Sequence, residues 1–593
     1  MSQGFPVLIA RLKRSYILIF DWNEELKDLI KAQDNTKFND AKGTPKGWVL
    51  PALSLYRLML PFKGTGTYHW HWESEATKAK FITDAKKCAI QEREREEALA
   101  KLDARNVKMV DYKKRLKDMT EFKYDFTPFI KPGFKPFPHQ KGAALWLSQA
   151  KSGILAAQMG LGKTMIYVMA MEIDPTVNKV LIICPNSLKL TLRDEEIHKF
   201  FFPKAFILNS KRKNPYPAKD CKYFITNYEY FASKKFDPIE KLVKFGIESP
   251  DVVVIDESHR IKEKSSNTYQ NIQEHLAGVK DVRFIMSTGT PIKSASRELF
   301  TQLHLVNKHA FPSQDNFNVN YCGMKWDKMT KMWLYDRSLE KAAELNELIQ
   351  PYMYRILKTE ALDLPEKIFT RILIELSPEE QKTYDLIEKG VANEIFSDEQ
   401  MDGAQAVTLL LRLQQYTALV KVKHLEEMIT RMLEEGEKIV FLDRFKDTIY
   451  ALRDMFPDRT VVHTGDQSEE QRQAAKLAFR DLTSGKDIFD GSNATCNAGL
   501  TLVEANKMFL NTMDWTPADC DQLYDRIHRI GQGEVCNYYL PIAKDTVDEM
   551  VFYSVESKRK VVERVVDNRE HRDTSGLSTY GDVMAALKRK HQK

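Results

Sequence analysis

GILAAQMGLGKT, residues Gly153–Thr164, joins a short apolar run to a glycine-rich loop that ends in Gly-Lys-Thr. The run GILAA is typical of a buried strand, and the following MIYVMAME, Met165–Glu172, is typical of a buried helix. A strand, a glycine-rich loop and a helix in this order turn the first NH groups of the helix towards bound phosphate. The stretch predicts a nucleoside triphosphate site, and the strand before the loop disfavours a glycine turn without function.

Four residues of the loop have roles that follow from phosphate chemistry. The Lys163 ammonium would neutralise charge on the β- and γ-phosphates, and the Thr164 hydroxyl would be a ligand of Mg²⁺. Gly160 and Gly162 carry no side chain, so the backbone can approach the phosphates closely. These four residues are the predicted phosphate and metal contacts of the first lobe.

A second stretch, VVVIDESHRIK (Val252–Lys262), begins as a β-branched run and ends in adjacent carboxylates. It predicts a buried strand that delivers its acids to the C-terminal edge of a sheet. Asp256 would hold Mg²⁺ through its water shell, and Glu257 would orient and deprotonate the attacking water. His259 is placed to couple this site to its neighbours. An Asp-Glu pair alone is usually a solvated turn, but one that follows a buried strand and a phosphate loop indicates catalysis.

The composition is that of a large enzyme from a reducing compartment. The chain has 593 residues, 43% hydrophobic and 29% charged, which is enough for three or four domains with cores of their own. A net charge of +6 permits a nucleic-acid partner without requiring one. The seven cysteines form no C-x-x-C pair, which argues against a zinc site or a disulfide framework. Because basic residues interrupt the N-terminal apolar stretch, we expect a soluble chain without a membrane span.

Strands that alternate with helical patterns predict an α/β protein with two parallel sheets. The expected strands of the first sheet lie in VLIICP, YFITNYE, VVVIDE and FIMSTGTP, and those of the second in KIVFLDRF, TVVHTG, NATCNAG, KMFLNTMDW and VCNYYLPI. The predicted segments are an accessory domain (1–72), a charged helical linker (73–122), a first lobe (123–308), a helical insertion (309–416), a second lobe (417–560) and a basic tail (561–593).

The second sheet has no phosphate loop of its own, and its polar signature is QLYDRIHRIGQ (Gln522–Gln532). Arg526 and Arg529 are three apart, so we expect them on one face of a helix. A basic helix face is ordinarily solvated. Here the offset from Gln522 suggests two guanidinium groups that reach across a domain interface to the γ-phosphate and stabilise transition-state charge.

Taken in order, these motifs resemble the helicase-related ATPases of the second superfamily, and within them the Swi/Snf-type double-stranded DNA translocases. The resemblance covers about residues 134–560. QMGLGKT is similar to the family's P-loop, and VIDESH to its DEAH box with Ser258 in place of Ala. STGTPIKSASRELF is similar to the coupling segment, with Lys293 or Ser294 where Asn is usual. LPEK, LSPEEQKTYDLI, HRIGQ and YYLPIAKDTVDE resemble the most family-specific segments, which strand-separating DEAD-type helicases do not carry.

This resemblance implies two tandem RecA-like domains with a helical insertion, ATP and Mg²⁺ as cofactors, and double-stranded or forked DNA as a sequence-independent partner. FPHQKGAALWL resembles the family's adenine-reading segment, so Gln140 would recognise the base. The two sheets would straddle one strand of a duplex and ratchet along it without separating the strands. TCNAGLTLVEAN (Thr495–Asn506) departs from the family's A-G-G-x-G-L-N-L turn and has Thr501 for Asn, which puts the coupling of DNA to ATP in question more than hydrolysis.

The N-terminal block resembles the HARP-like substrate-recognition domain of annealing helicases. Lys37, Phe38, Lys46, Trp48 and Arg57 alternate basic and aromatic groups, as a surface that grips phosphates and stacks on bases would. The alternative is a small accessory domain with Trp48 in its core. The charged segment after it is either a spacer or a solvated helix packed on the first sheet.

Three functional interpretations stay open at this point: a duplex-stimulated ATPase and translocase, a strand-separating DNA or RNA helicase, and a non-catalytic scaffold. We expect a monomer, with a single-strand-binding protein or other replication and repair proteins as further partners. The compact insertion resembles bacterial or phage members, which predicts a cytoplasmic or nucleoid location, or a nuclear one in a eukaryotic host.

Overall fold

The computed structural model describes residues 5–12, 15–20, 23–31, 37–39, 47–59, 68–208, 214–232, 243, 249–277, 282–327, 332–335, 339–397, 403–497 and 500–569. The chain divides into two compact units, Met1–Lys108 and Met109–Lys593, each with its own hydrophobic core. Within the described ranges, no helix is both long enough and apolar enough to cross a membrane.

A five-stranded sheet forms the base of the N-terminal unit, in the order β3-β4-β2-β1-β5. Its elements are β1 (Phe5–Leu12), β2 (Ser15–Ile19), α1 (Glu24–Lys31), β3 (Lys37–Asn39), β4 (Gly47–Pro51), α2 (Ala52–Met59) and β5 (Tyr68–Trp72). Neighbouring strands are antiparallel except β1 and β5. Val7 and Ile9 of β1 are fully buried whereas Leu8 between them is exposed, so one face of the sheet packs on the core.

One continuous helix, α3 (Glu75–Asp118, 44 residues), follows this sheet. Its length is about 66 Å at ~1.5 Å per residue. The boundary between the units falls inside it, after Lys108. Met109 and Leu116 are buried in the core of the second unit, so the C-terminal end of α3 belongs to the first lobe.

The first lobe is a seven-stranded sheet in the order β14-β6-β11-β10-β7-β9-β8, parallel throughout. Its strands are β6 (Gly153–Ala157), β7 (Val180–Cys184), β8 (Ala205–Ile207), β9 (Tyr223–Asn227), β10 (Val252–Asp256), β11 (Arg283–Ser287) and β14 (Met353–Ile356). Its helices are α4 (Pro138–Ala150), α5 (Lys163–Ile173), α6 (His198–Phe200), α7 (Asn267–His275) and α8 (Phe300–Val306). Hydrophobic clusters cover both faces of the sheet, as expected for central parallel strands that are apolar along their whole length.

Residues 309–416, predicted as a helical insertion, also supply strands to both sheets. They contain α9 (Gln314–Tyr321), β12 (Met324–Asp327), β13 (Met332–Tyr335), α10 (Leu339–Ile349), α11 (Lys358–Ala361), β15 (Lys367–Ile374), α12 (Pro378–Ser397) and the start of α13 (Gly403–Glu434). β14 of the same segment pairs with β6, which leads into the phosphate loop, whereas β15 pairs with β20 (Cys536–Ala543) of the second lobe. The chain therefore passes from one lobe to the other between Ile356 and Lys367.

The second lobe is a six-stranded parallel sheet in the order β15-β20-β19-β16-β18-β17. Besides β15 it contains β16 (Ile439–Asp443), β17 (Thr460–His463), β18 (Ile488–Ser492), β19 (Lys507–Leu510) and β20 (Cys536–Ala543), with α14 (Lys446–Met455), α15 (Glu469–Arg480), α16 (Asn493–Cys496) and α17 (Pro517–Tyr524). The prediction of a strand in NATCNAG is wrong. The strand is the preceding IFDGS, and the Ser492 hydroxyl accepts the Thr495 NH to cap a single helical turn.

The last described helix, α18 (Val547–Asp567), packs into the cores of both lobes. Val547, Val551 and Val555 belong to the second-lobe core, and Val561, Val565 and Val566 belong to the first-lobe core. Residues 561–569, predicted as part of a basic tail, thus include the end of a packed helix. Residues 570–593 lie outside the described part of the chain.

Candidate active site

The phosphate loop has the geometry that its glycines predict. It connects the fully buried β6 to α5, which begins at Lys163. Gly160 and Gly162 have φ of 83° and 73°, in the left-handed region where a glycine is favoured over residues with a Cβ. A Cβ at Gly162 would overlap the Nε2 atom of Gln140, so the end of that side chain would have to move.

Gln140 lies in the first turn of α4 and is buried beside this loop. Its Nε2 donates to the Leu161 carbonyl at 3.2 Å, and its Oε1 accepts the Phe137 NH at 3.0 Å. The side chain therefore fastens the phosphate loop to α4. Recognition of a base by Gln140 stays a prediction.

Asp256 and Glu257, at the end of β10, lie in different environments. The Asp256 Oδ1 accepts the Ser287 hydroxyl at 2.9 Å, and burial together with the neighbouring Glu257 carboxylate raises the pKa of Asp256 to about 7. Burial also raises the pKa of Glu257, but the positive charges of Lys163 and its neighbours outweigh burial and hold that pKa below its usual value. The Lys163 Nζ lies 4.0 Å from the Glu257 Oε1. Glu257 is thus the carboxylate that stays ionised near neutral pH.

His259 connects the acids to the next strand end. Its Nδ1 lies 3.0 Å from the Thr288 Oγ1 and 3.4 Å from the Glu257 Oε2. Burial lowers the pKa of His259 to about 4, against the opposing effect of Glu257, so the ring is neutral at pH 7. The neighbouring Ser258, where the family has Ala, is buried and donates its hydroxyl to the Gln302 Oε1 at 2.8 Å.

Arg526 and Arg529 do not lie on a helix, and this prediction is wrong. Helix α17 ends at Tyr524, and both arginines belong to the turn that follows. The carbonyls that a helix would use are taken by distant donors: Arg526 O accepts the Leu502 NH at 2.9 Å, and His528 O accepts the Lys358 ammonium at 3.0 Å. Tertiary contacts therefore decide the conformation of this turn.

Each arginine donates hydrogen bonds to the loop Thr495–Asn506, which resembles the family's A-G-G-x-G-L-N-L turn. Arg526 is fully buried and donates to the carbonyls of Leu500 at 3.2 Å and Asn497 at 2.8 Å. Arg529 donates to the Thr501 hydroxyl at 3.0 Å, so the residue that replaces the family's Asn is an arginine partner. The turn and this loop form one hydrogen-bonded block on the second lobe.

A cleft of about 530 Å³ between the lobes brings the catalytic candidates together. Of the predicted residues, Glu257 and His259 line it from the first lobe, and Arg526 and Arg529 line it from the second. Lys163 adjoins the cleft through its contact with Glu257. The cleft lining does not include the other predicted residues, Gln140, Gly160, Gly162, Thr164 and Asp256.

Three polar residues at this site were missed by sequence reasoning. The Lys293 ammonium lies 2.7 Å from the Asp519 carboxylate, an ion pair that crosses the cleft. Glu196 lies in a π-helical turn (Thr191–Ile197), interacts with Thr164 and Lys163, and has its pKa raised by burial. The charges of Lys293 and Asp519 were visible in the sequence, but only the folded chain shows that they face one another.

The donor set fits magnesium and a triphosphate. In the described part of the chain, no cluster of three or more His, Cys, Asp or Glu side chains forms a metal site made by protein alone. Mg²⁺ is commonly held by one or two protein oxygens together with substrate phosphates and water. Thr164 and Asp256 supply that kind of ligand, and the raised pKa of Asp256 reflects a buried pair of acids that a cation would neutralise.

Comparisons with known proteins agree with this architecture. The model of the SNF2-related domain matches residues 69–419, more than half of the chain, and that of the helicase conserved C-terminal domain matches residues 420–531. A DNA repair and recombination protein RAD54-like of Drosophila pseudoobscura pseudoobscura is 24% identical over 73% of this chain and 64% of its own length. The chain thus spans less than two thirds of that relative.

Two further relatives differ in how much of them is covered. An uncharacterised ATP-dependent helicase, YqhH of Bacillus subtilis, is 25% identical over 75% of this chain and 82% of its own length. A Xenopus laevis protein, the SWI/SNF-related matrix-associated actin-dependent regulator of chromatin subfamily A-like protein 1, is 27% identical over 72% of this chain and 43% of its own length. Among solved structures, the Sulfolobus solfataricus SWI2/SNF2 ATPase core in complex with dsDNA is 22% identical, covers 76% of this chain and 95% of its own, and has a TM-score of 0.36. From the two family matches, the chain belongs to the SNF2-related family, with a helicase conserved C-terminal domain following its SNF2-related domain.

Proposed function

We propose that this chain is a DNA-stimulated ATPase that uses ATP hydrolysis to move along double-stranded DNA. The observation that carries the proposal is the cleft between the lobes, which Glu257 lines from one side and Arg526 and Arg529 from the other. A site completed by both lobes hydrolyses ATP only in certain lobe positions, so hydrolysis and lobe motion become linked.

In this mechanism the chain's own residues divide the work between binding and chemistry. Lys163 and the NH groups at the start of α5 bind the phosphates, and Thr164 and Asp256 would hold Mg²⁺. When bound there, the ion would supply positive charge beside the phosphates. Glu257 is ionised near neutral pH, so it accepts a proton from the attacking water, and Arg529 stabilises the charge on the γ-phosphate.

Variants of these residues separate binding from turnover. We expect Lys163→Ala to abolish ATP binding, because the main phosphate charge partner is lost. Glu257→Gln should retain binding and stop turnover. The measurement is ATP affinity by a fluorescent analogue together with the rate of phosphate release, and full hydrolysis by Glu257→Gln would refute the assigned base.

Nucleic-acid preference distinguishes the competing functions. ATPase rates are measured with single-stranded DNA, blunt duplex, forked DNA and RNA, alongside unwinding of a tailed duplex. A duplex translocase is stimulated most by double-stranded DNA and does not separate the strands. Strongest stimulation by single strands together with unwinding would support a strand-separating helicase, and a rate that no nucleic acid changes would support a scaffold.

We further propose that the N-terminal unit recognises forked or junction DNA, as the resemblance to HARP-like domains implies. Phe38 is 54% exposed, and its ring lies 5.4 Å from that of the half-buried Trp48 in an edge-to-face pair. This places an exposed aromatic on the sheet, as base stacking requires. Lys46 lies outside the described residues, and the side chains of Lys37 and Arg57 are also not described.

The matched test of this assignment is Phe38→Ala against Leu8→Ala, because Leu8 is a partly exposed apolar residue of the same sheet. We expect Phe38→Ala to lower stimulation by forked DNA relative to blunt duplex, and Leu8→Ala to leave that ratio unchanged. Equal ratios in the two variants would remove the fork-recognition assignment while leaving the ATPase intact. Annealing of complementary strands is measured with the same pair.

A further inference from the structure

The backbone of Glu257 has a conformation that is uncommon for a residue with a side chain. Its φ and ψ are 55° and 51°, in the left-handed region, between the end of β10 and the 3₁₀ turn Ser258–Ile261. A residue keeps such a conformation only where its surroundings enforce it. Because the Cα–Cβ direction depends on φ and ψ, the same constraint sets where the Glu257 carboxylate points.

Tyr228 contacts this backbone from the end of β9, which β7 separates from β10 in the sheet. It follows β9, begins the 3₁₀ turn Tyr228–Phe231, and is buried with its ring packed in the first-lobe core. Its hydroxyl donates to the Asp256 carbonyl at 2.5 Å and to the Glu257 carbonyl at 3.0 Å. One phenol therefore contacts the carbonyls of both acids.

The Asp256 carboxylate is held more closely by its neighbours than the Glu257 carboxylate is. Asp256 is in strand register with Ser287 and accepts its hydroxyl, so both its backbone and its carboxylate are fixed by β11. Glu257 lies beyond the last paired residue of β10, and its Oε2 is 3.4 Å from the Thr288 hydroxyl. The Glu257 carbonyl accepts the Arg260 NH at 3.0 Å as well as the Tyr228 hydroxyl. Lys163 at 4.0 Å and His259 at 3.4 Å also contact the Glu257 carboxylate, so its direction depends on its backbone together with these longer side-chain contacts.

We propose that Tyr228 is a positioning residue for ATP hydrolysis, which holds the Asp256 and Glu257 carbonyls so that the Glu257 carboxylate faces the attacking water. This inference rests on the proposed function, in which Glu257 is the general base. It assigns Tyr228 no contact with the nucleotide and no proton transfer. The hydroxyl acts through the peptide that it holds.

Tyr228→Phe removes the hydroxyl and keeps the ring, and Tyr269→Phe is its matched control. Tyr269 is fully buried in the same hydrophobic cluster, and its hydroxyl has no hydrogen-bond partner among the residues that the structure describes. In full-length protein saturated with DNA, we expect Tyr228→Phe to lower kcat about tenfold, with KM for ATP within twofold of wild type. Tyr269→Phe should leave both constants within twofold. Equal kcat values for the two variants, or a Tyr228→Phe effect confined to KM, would overturn the inference.

A double variant tests whether the Tyr228 hydroxyl acts through Glu257 or whether its loss simply destabilises the protein. The slow single-turnover hydrolysis that remains when Glu257→Gln has stopped steady-state turnover is compared with and without Tyr228→Phe. If Tyr228 acts through Glu257, the second change has little further effect, because the base it positions is already absent. A further tenfold loss in the double variant would contradict the assigned route. Wild-type hydrolysis by Glu257→Gln alone would instead refute Glu257 as the general base, whatever Tyr228→Phe does.

Discussion

His259 is a neutral histidine between two lobes, and its burial makes it sensitive to acid. The folded pKa of about 4 is below the usual value of 6.5, so between these values the unfolded chain binds a proton that the folded chain does not. The neutral ring contributes stability that is complete above pH 6.5 and is lost as the pH falls towards 4. Over this window the loss is about 1.4 kcal/mol for each pH unit.

We predict that His259→Gln is less sensitive to acid than the wild-type chain. Glutamine keeps a polar group beside Thr288 but does not titrate, so its melting temperature should fall less between pH 7 and pH 5. Differential scanning fluorimetry at several pH values measures the difference. His275→Gln, in α7 away from the cleft, is the control and should follow the wild-type curve. An identical pH dependence for His259→Gln and wild type would contradict the buried neutral state.

Arg526 and Arg529 both line the cleft, but their replacement by alanine should affect stability differently. Arg526 is fully buried, so Arg526→Ala leaves the carbonyls of Leu500 and Asn497 without their donor and opens a cavity. We expect Arg526→Ala to destabilise the second lobe by about 3 kcal/mol in addition to lowering turnover. Arg529→Ala should lower kcat and leave ATP affinity and melting temperature nearly unchanged. Equal melting temperatures for the two variants would show that Arg526 has no structural role.

At the scale of elements, the phosphate loop depends on two glycines in different ways. Both have positive φ, so an alanine at either costs about 1 kcal/mol in backbone strain. At Gly162 the new Cβ would also overlap Gln140, whereas at Gly160 the nearest atom is 4.0 Å away, on Lys358. The loop is therefore tighter where it enters the helix than at its centre.

We predict that Gly162→Ala weakens ATP binding more than Gly160→Ala does. The new Cβ would displace the end of the Gln140 side chain, which breaks its hydrogen bond to the Leu161 carbonyl and loosens the loop next to Lys163. Equilibrium binding of a fluorescent ATP analogue to the two variants measures the difference, with melting temperature as the check that both are folded. A stronger effect of Gly160→Ala would show that close phosphate approach, and not packing against Gln140, limits the loop.

The elements that were predicted correctly are those whose structure is determined by residues within the element itself. β6, β7 and β10 are continuous apolar runs, and the phosphate loop is specified by its own glycines. The turn that carries Arg526 was misread as a helix because its carbonyls are bonded by Leu502 and Lys358, which are distant in sequence. The same limit applies to Tyr228, because its contact with the two acids joins the ends of β9 and β10, two strands that β7 separates in the sheet.

Considered as a whole, the second unit is joined across the lobes by ion pairs and by α18. Lys358 is 4% exposed, lies 2.8 Å from the Asp525 carboxylate, and donates its NH to the Gln158 side chain at the start of the phosphate loop. Arg355 of β14 lies 2.7 Å from the Asp567 carboxylate at the end of α18. The Lys358 contacts connect the nucleotide loop of one lobe to the arginine-bearing turn of the other, and the Arg355–Asp567 pair holds the end of α18 on the first lobe.

We predict that Val565→Ala destabilises the first lobe although it is distant in sequence from that lobe's strands. Val565 is fully buried in the first-lobe core, so its truncation should cost about 2 kcal/mol and lower the melting temperature by several degrees. Tyr553→Ala, at a position of the same helix that is 50% exposed, is the control and should have little effect. Limited proteolysis should then cut the first lobe of Val565→Ala sooner than that of Tyr553→Ala. Equal cleavage would mean that α18 is dispensable for the first lobe.

The placement of Val561, Val565 and Val566 also constrains how the chain matures on the ribosome. The first lobe has its last strand at Ile356, yet its core is completed by valines roughly 210 residues later. At a synthesis rate of about 5–20 residues per second, that interval is about 10 to 40 s. During this interval the apolar surface of the first lobe that α18 covers is exposed to solvent. The nascent chain is therefore prone to aggregation until α18 has been synthesised.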